Sequence, residues 1–411
     1  MPMTSDDLRG LLRDEGFVGT PPGNPGRAGQ IEHRIARRRR RLRGQVAAVA
    51  ATVLAVAGLS TAASRGVFGG VLDGGDPAAS GTASARPMPT VALPAAVPVE
   101  KLWPQAVVKV PARLPNGRKY YPEAFVGNRT LLVTTSGGFE RTDAIWLYDT
   151  GTRRLSQVTR VTTPAKATTF ASDFAVGDGR VVWWTARRAQ GEIIAEIWSA
   201  PLSGGEARKI VTMPAGKEED SGIGDLVIAG GKVFWSLSAF TPQARGGLFE
   251  APLTGGPPTK IPGTDRHQIV EWPWIGTPGR NDAARPVTFK DVRNVVTGER
   301  RSAEVGPGRW TCDVTWCVSY GGPDTRAVRR DGTGGRVLPG EWPFPTDIAL
   351  DRFLLYSGPR TMQLYDLRSG RLADLGAPRQ PRSYTAIQPG DRIYRMDRAD
   401  GYLIVDFTAV R

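Results

Sequence analysis

The sequence predicts an all-β protein: a β-propeller of about seven four-stranded blades, closed by an N-terminal strand and preceded by one transmembrane helix. Three observations carry this prediction. The 411-residue chain contains 50 Gly and 33 Pro, spread along its length, which is typical of many turns between short strands. A pattern of four strands recurs through residues 101–411. An uncharged apolar stretch, Val46–Ala63, comes before the recurring pattern.

Two neighbouring copies show the repeat most clearly. Their third strands read Glu196-Ile-Trp-Ser-Ala-Pro-Leu and Gly247-Leu-Phe-Glu-Ala-Pro-Leu. A Gly-Gly turn follows each phrase, and the second glycines of these turns, Gly205 and Gly256, are 51 residues apart. Such self-similarity at a period of tens of residues indicates a solenoid, a propeller or an array, and the short strands with their glycine turns favour a propeller.

The number of blades follows from counting strands and turns. Seven regions have the pattern of the first two strands of a blade, but only six turns between third and fourth strands follow them. The last copy ends at Tyr402-Leu-Ile-Val-Asp-Phe without a fourth strand, and Ala106-Val-Val-Lys-Val can supply it, which leaves no open sheet edge. Seven blades are predicted. Six is the alternative, because the fourth repeat, His267–Ala303, is irregular.

These features resemble the TolB-like and WD-repeat-like β-propeller proteins, in the single-pass, membrane-anchored form common in high-GC actinobacteria. The resemblance covers roughly residues 102–411 and depends on blade architecture and on phrases such as Ile197-Trp-Ser-Ala-Pro-Leu-Ser-Gly-Gly. It implies the propeller fold and the anchor. It includes no signature for function, and the Gly-His and Trp-Asp dipeptides of true WD repeats do not occur.

The predicted organisation has four parts. Residues 1–44 form a partly disordered basic tail, 45–63 a transmembrane helix, 64–100 a flexible tether rich in Ala, Pro, Gly and Ser, and 101–411 the propeller. As a helix the apolar stretch is about 27 Å long, just enough for a hydrocarbon core of about 30 Å.

The distribution of arginine predicts how the chain is oriented in the cell membrane. Seven Arg lie in residues 34–43, before the span, and Arg65 alone follows closely. The N-terminus is therefore predicted to be cytoplasmic and the propeller extracytoplasmic. A cleaved signal peptide, with the small residues from Ser60 as its cleavage site, is the alternative.

The net charge of +14 is uneven, since residues 1–44 contain ten Arg and five acidic residues. The rest is spread thinly over the propeller region, without a basic block interleaved with aromatic residues. No nucleic-acid partner is therefore predicted.

The two cysteines, Cys312 and Cys317, lie in the fifth repeat where its first strand should turn into its second. An oxidising compartment outside the membrane favours a disulfide across this hairpin; free thiols and a metal site are the alternatives. Zinc would need further ligands, and His267 is the only histidine of the propeller region. The sequence predicts no metal and no cofactor.

No catalytic set is recognised, so the chain is predicted not to be an enzyme. A Ser-His-Asp mechanism would have to use His267, which lies in a polar stretch between repeats. Paired carboxylates could support glycoside hydrolysis, but aspartates are expected at turns in every blade. The carboxylates considered for this role are Asp173, Asp178, Asp225 and Asp347.

The predicted function is that of a binding or scaffold module for a protein, peptide or envelope ligand, which would bind at the loop faces of the propeller. The longest loops between second and third strands are predicted at Arg187–Glu192, Phe240–Gly246 and Thr277–Arg285. Three tryptophans in Pro-rich segments are candidates for an exposed binding surface: Trp272, Trp274 and Trp342.

Two other functions stay open. An extracytoplasmic hydrolase or lyase on the same fold would need convergent acidic or histidine side chains at the mouth of the central channel. Transmembrane signalling through residues 1–44 is the weaker alternative, because the His-x-x-x-Cys-x-x-Cys zinc motif of anti-sigma factors does not occur there.

Overall fold

The structure is a computed structural model, and it describes residues 94–138, 141–217, 221–238, 247–278, 287–320, 325–338, 348–358, 360–378 and 391–411. The predicted cytoplasmic tail, the predicted membrane span and nearly all of the predicted tether lie outside these residues. Within the described ranges, no helix combines the length and apolar character that crossing a membrane requires.

The described strands form seven sheets, which establishes a seven-bladed propeller and not a six-bladed one. Two strands, β1 (Val97–Pro98) and β2 (Val107–Pro111), precede the first blade. Blades 1 to 3 contain β3 (Tyr120–Phe125), β4 (Thr130–Gly138), β5 (Arg141–Asp149) and β6 (Leu155–Arg160); β7 (Ala167–Gly177), β8 (Arg180–Ala189), β9 (Glu192–Pro201) and β10 (Arg208–Gly216); and β11 (Gly222–Ala229), β12 (Lys232–Ser238), β13 (Leu248–Pro252) and β14 (Thr259–Lys260).

The later blades are less regular. Blade 4 contains β15 (Gln268–Glu271), β16 (Trp274–Gly276), β18 (Asp291–Asn294) and β19 (Arg300–Ser302), and blade 5 contains β17 (Val287–Thr288), β20 (Arg309–Cys312), β21 (Trp316–Tyr320), β22 (Thr325–Arg329) and β23 (Arg336–Leu338). Blade 6 contains β24 (Phe353–Ser357), β25 (Thr361–Asp366), β26 (Leu372–Pro378) and β1, and blade 7 contains β27 (Ile393–Arg398), β28 (Gly401–Asp406) and β2. The irregularity of the fourth repeat has a structural counterpart. Strand β17 belongs to the fourth repeat in sequence, but it pairs in parallel with β20 of blade 5.

The N-terminal strand closes the ring as the sequence predicts. Strand β2 pairs antiparallel with β28, so that Val107 lies opposite Val405. The hydroxyl of Tyr402 also donates a hydrogen bond to the backbone oxygen of Tyr120 in blade 1, at 3.0 Å. The last blade is thus joined both to the first strands of the chain and to the first blade.

Packed structure begins before Lys101, the predicted start of the domain. Strand β1 adds in parallel to the edge of β26 in blade 6. A short helix, α1 (Val99–Leu102), and a 3₁₀ turn, Pro104–Ala106, lead from β1 to β2. Trp103 between them is buried against Phe353, with ring centroids 6.0 Å apart. The N-terminal segment therefore covers one sheet edge and completes another sheet.

Hydrophobic clusters fill the space between neighbouring blades. Each adjacent pair of blades, including blades 7 and 1, shares at least one cluster of buried apolar side chains. The predicted packing tryptophans Trp183, Trp184 and Trp235 are fully buried there. Because both faces of a blade are covered by its neighbours, its central strands can be apolar on both sides.

Two predictions about exposed surfaces are wrong. Arg187–Glu192 is not a long loop, since β8 continues to Ala189 and the turn is Gln190-Gly191, with φ of 50° and 81° as in a two-residue hairpin. Trp274 is only 8% exposed, because it lies on β16 with the Arg301 guanidinium 4.3 Å from its ring. Phe240–Gly246, most of Thr277–Arg285 and Trp342 lie outside the described residues.

Candidate ligand-binding site

Three carboxyl groups from consecutive blades converge at the turns between the first and second strands, here called the ab turns. Glu271 is the last residue of β15 in blade 4, and Asp313 follows β20 in blade 5. Asp351 lies in the turn before β24 in blade 6. The charge of Asp351 helps to raise the pKa values of Glu271 and Asp313, and the charge of Glu271 helps to raise that of Asp313. We call Glu271, Asp313 and Asp351 the acidic cluster.

The turns of blades 4 and 5 present their acids in the same way. Glu271 lies opposite Trp274 across the hairpin, and the amide of Asp313 donates to the backbone oxygen of Trp316 at 2.7 Å. In both hairpins only two residues separate the acid from the tryptophan. Such short turns leave the backbone little freedom, so both carboxyl groups project from fixed positions.

Asp351 connects blades 5 and 6. Its Oδ1 accepts hydrogen bonds from the amides of Thr315, at 2.8 Å, and Trp316, at 3.2 Å. Both Leu350 and Asp351 have φ of 49°. Aspartate tolerates this left-handed region, but leucine does not adopt it readily, so the turn contains local strain. The two hydrogen bonds from blade 5 hold the Asp351 carboxylate of this turn in a defined orientation.

Asp313 is the most deeply buried member of the cluster. It is 2% exposed, and its Oδ1 accepts a hydrogen bond from the amide of Val314 at 2.7 Å. Its Oδ2 is buried and has no hydrogen-bond partner among the described residues. A buried polar atom without a partner costs about 1–3 kcal/mol, and more when the group is charged. This oxygen is therefore the natural acceptor for a ligand or for a proton.

Arg330 supplies a positive charge near the cluster, and its guanidinium donates to backbone oxygens. Its Nε donates to the backbone oxygen of Asp313 at 2.7 Å, and its Nη1 and Nη2 donate to the backbone oxygens of Lys290 and Phe289, both at 2.6 Å. Burial lowers its pKa to about 10, against the opposing effect of Asp313 and Asp351. The guanidinium therefore stays charged at neutral pH while it holds the backbone around the cluster.

All three acids have raised pKa values, and burial is the largest cause in each case. Burial and the neighbouring Asp351 raise the pKa of Glu271 to about 7, against the opposing charge of Arg392. Burial, Asp351 and Glu271 raise the pKa of Asp313 well above its usual range. Burial raises the pKa of Asp351 although hydrogen bonds from Thr315 oppose it. The acids of the cluster therefore bind protons more tightly than free carboxyl groups do, and a positive ligand could displace those protons.

A disulfide borders the cluster. The sulfur atoms of Cys312 and Cys317 are 2.06 Å apart, and the two residues lie directly opposite each other on β20 and β21. The turn between them includes Asp313 and the two amides that hold Asp351. The cross-link thus limits the freedom of the segment that builds the site.

The structure assigns other roles to the residues first considered for catalysis. His267 lies between blades 3 and 4 with its Nδ1 3.0 Å from the backbone oxygen of Asp265. Asp173 accepts from the indole of Trp184 at 2.7 Å, Asp178 from the amide of Gly231 at 2.7 Å and Asp225 from the hydroxyl of Ser236 at 3.0 Å. Asp347 lies outside the described residues. Through these hydrogen bonds the three aspartates stabilise strands and turns.

The acidic cluster was missed in the sequence, although one signal for it is present. Glu271-Trp-Pro-Trp and Asp313-Val-Thr-Trp share an acid followed three residues later by tryptophan. The two motifs occupy equivalent positions, the ab turns of two consecutive repeats. Aligning the repeats on their second strands would have shown both acids at one position. Asp351 carries no such signal, because its turn has a different length.

In the ranges that the structure describes, no group of three or more His, Cys, Asp and Glu side chains is arranged to hold a metal ion. The three acids of the cluster can accept hydrogen bonds or bind protons.

Comparisons with known proteins do not extend this description. No family model matches the sequence, and no curated protein matches it. Among solved structures, the chain is similar to an oligogalacturonate lyase from Vibrio parahaemolyticus, with 10% identity, a TM-score of 0.37, and coverage of 68% of this chain and 74% of that one. It is also similar to the acylaminoacyl peptidase of Pyrococcus horikoshii (13% identity, TM-score 0.40, 69% and 49% covered) and to a prolyl endopeptidase (14%, 0.39, 73% and 45%). Similarities this distant carry no argument about function, and the seven-bladed fold rests on the chain's own strands.

Proposed function

We propose that this protein is a membrane-anchored, extracytoplasmic propeller that binds a ligand, and that its ligand site is the acidic cluster on the ab-turn side. The observation that carries the proposal is the buried Oδ2 of Asp313, which lacks a hydrogen-bond partner among the described residues. Glu271 and Asp351 are half-buried and remain accessible from outside. A site with accessible acids above a buried, unsatisfied one has the features of a specific binding site.

Site-specific cross-linking in the native envelope tests the location of the site. A photoreactive p-benzoylphenylalanine replaces Trp272, which lies in the ab turn directly after Glu271, or Gln190, which is exposed in a turn at the opposite end of a blade. We expect an adduct from position 272 that disappears when Asp313→Asn is added, and no adduct from position 190. An adduct that forms only at position 190 contradicts the assignment. So does an adduct at position 272 that still forms when Asp313→Asn is present.

The membrane anchor and the orientation remain part of the proposal, supported by the arginines before Val46–Ala63. Protease digestion of intact spheroplasts tests both, with epitope tags at the two termini of the full-length chain. We expect loss of the C-terminal tag and protection of the N-terminal one. Separation of the two tags before any protease is added would instead indicate a cleaved signal peptide.

A hydrolase or lyase is a second candidate function, favoured by one observation. The pKa of Glu271 is about 7, a value suited to a general acid or base at neutral pH, and a second carboxyl group lies close to it. Assays on envelope polysaccharides and peptides test this candidate. Turnover that Glu271→Gln reduces by about 100-fold or more would support it, and turnover unaffected by that change would exclude Glu271 as the general acid or base.

A further inference from the structure

We infer that the group recognised by the acidic cluster is an organic cation, the ammonium or guanidinium group of a lysine- or arginine-like side chain. This inference rests on the proposed function, because it names the chemistry of the ligand at the same site. It follows from the charge balance of the cluster, from its hydrogen-bonding capacity and from the amides that already bind Asp351.

The charge balance leaves room for a cation. Arg330 acts on Asp313 and Asp351, and Arg392 acts on Glu271. Three of the five N–H donors of Arg330 are bound to backbone oxygens, and none of these three bonds goes to a carboxylate. None of the three acids takes part in the ion pairs found among the described residues. The other charged groups that act on the site are Asp291, Arg301 and Arg392. Burial disfavours the ionised form of an acid that has no ion-pair partner, so such an acid tends to bind either a proton or a positively charged ligand.

The hydrogen-bonding capacity points to a ligand with several donors. Asp313 Oδ2 has no partner among the described residues, and the charges that act most strongly on this carboxyl group are those of Asp351 and Glu271. The unsatisfied atom therefore belongs to the cluster and not to a separate site. Ionised carboxyl groups are acceptors only, and ammonium and guanidinium groups carry three and five N–H donors, which suits acceptors that converge from several blades.

The amides already bound to Asp351 argue against a metal ion as the ligand. The described side chains include no three-residue set with metal-binding geometry, and Asp351 Oδ1 is already engaged by two amides. A divalent ion requires several oxygens at about 2.0–2.6 Å. An organic cation reaches each acceptor through a separate N–H group at about 2.7–2.9 Å, so it does not need several free oxygens around one point.

Calorimetry on the full-length protein in detergent tests the inference directly. The probes are N-acetyl-arginine methylamide, N-acetyl-lysine methylamide, the uncharged isostere N-acetyl-citrulline methylamide, and CaCl₂. We expect at least one cationic probe to bind about tenfold or more tightly than the citrulline probe. Heats measured in two buffers of different ionisation enthalpy should show proton release on binding, because the cation displaces protons held by the cluster. Binding should weaken about tenfold or more from pH 8 to pH 5, as Glu271 becomes protonated.

Variants separate the site from non-specific attraction. Asp313→Asn and Glu271→Gln should each weaken binding of the cationic probe about tenfold or more, and Asp400→Asn, an exposed acid in the turn between β27 and β28, should leave it unchanged. Glu271→Gln is the safer of the two site variants because this side chain is only half-buried; near-ultraviolet circular dichroism reports whether each variant is folded.

The possible results separate the inference from the proposed function. Binding of Ca²⁺ in preference to both cationic probes, or equal binding of the citrulline probe, overturns the inference. If neither cationic probe binds but the cross-link at position 272 still depends on Asp313, the inference fails and the proposed function stands. If the cross-link is independent of Asp313 as well, both fail.

Discussion

Replacing Glu271 with Gln should change the free energy of unfolding more favourably at pH 8 than at pH 4. The folded-state pKa of Glu271 is about 7, against an ordinary value of 4.5, because burial and Asp351 disfavour the ionised form. The folded protein therefore binds this proton more tightly than the unfolded chain does. The resulting stabilisation is fully present below about pH 4.5 and is lost as the pH rises through about 7. Glutamine never ionises, so the variant avoids this loss.

The size of the effect follows from the same two pKa values. The interval from 4.5 to about 7 corresponds to at most about 3.4 kcal/mol, at 1.36 kcal/mol per pH unit. Glu271 is half-buried, so solvent screens part of its interaction with Asp351. We therefore expect the free energy of unfolding of Glu271→Gln, relative to the natural protein, to rise by about 1–2 kcal/mol between pH 4 and pH 8.

Urea denaturation of the full-length protein in detergent, followed by tryptophan fluorescence at several pH values, measures this difference. Glu206→Gln is the matched control, because Glu206 is exposed in the turn before β10 of blade 2 and its replacement should give no pH-dependent change. A difference between Glu271→Gln and the natural protein that is the same at pH 4 and pH 8 would refute the reasoning. A decrease in the relative stability of the variant at pH 8 would show that the ionised carboxylate has a partner in the folded protein.

Three further predictions concern the framework around the site. Asp366→Asn should cost about 3–5 kcal/mol of unfolding free energy, measured by urea denaturation, because it breaks a pair in which the partly buried Arg352 donates to both oxygens of the fully buried Asp366 carboxylate, at 2.9 and 2.7 Å; an effect below 1 kcal/mol would contradict this. Trp103→Ala should cost about 3–5 kcal/mol in the same assay, since the side chain is 1% exposed, and Trp272→Ala, at a half-buried position, should cost less. Replacing both Cys312 and Cys317 with Ala should cost about 2 kcal/mol, the entropy of a loop with a sequence separation of 5; if reducing agent destabilises the double variant as much as the natural protein, the loss does not come from this cross-link.

The repeat could be predicted from the sequence because each blade is specified locally. Phrases such as Glu196-Ile-Trp-Ser-Ala-Pro-Leu combine a strand that is apolar on both faces with a glycine turn, and neighbouring blades repeat the combination. The closure by Ala106-Val-Val-Lys-Val also followed from the sequence, since counting strands left one missing and one unused. The predicted packing of Trp183 and Trp235 needed only their position in a second strand.

The errors arose where tertiary contacts decide the outcome. Arg187–Glu192 was expected to be a loop because it is polar, yet its residues continue the hairpin of β8 and β9 across a two-residue turn. Trp274 was expected to be exposed because prolines surround it, but its strand carries it into the space between blades 4 and 5. The addition of β1 to blade 6 had no local signal, because two residues of strand carry no periodicity.

The acidic cluster shows why a propeller site is hard to read from one sequence. Its members come from three repeats, and the residues that make them unusual are distributed in the same way: the amides of blade 5 hold Asp351 of blade 6, and Arg330 holds the backbone beside Asp313. No single repeat contains the site. The ab turns that bring the acids together are short, hydrogen-bonded and, in blade 5, cross-linked, so the acids are positioned before any ligand arrives. Ordering a binding site that is built on such rigid elements costs little free energy. We therefore expect the selectivity of the proposed site to depend on the charge and the donor geometry of the ligand.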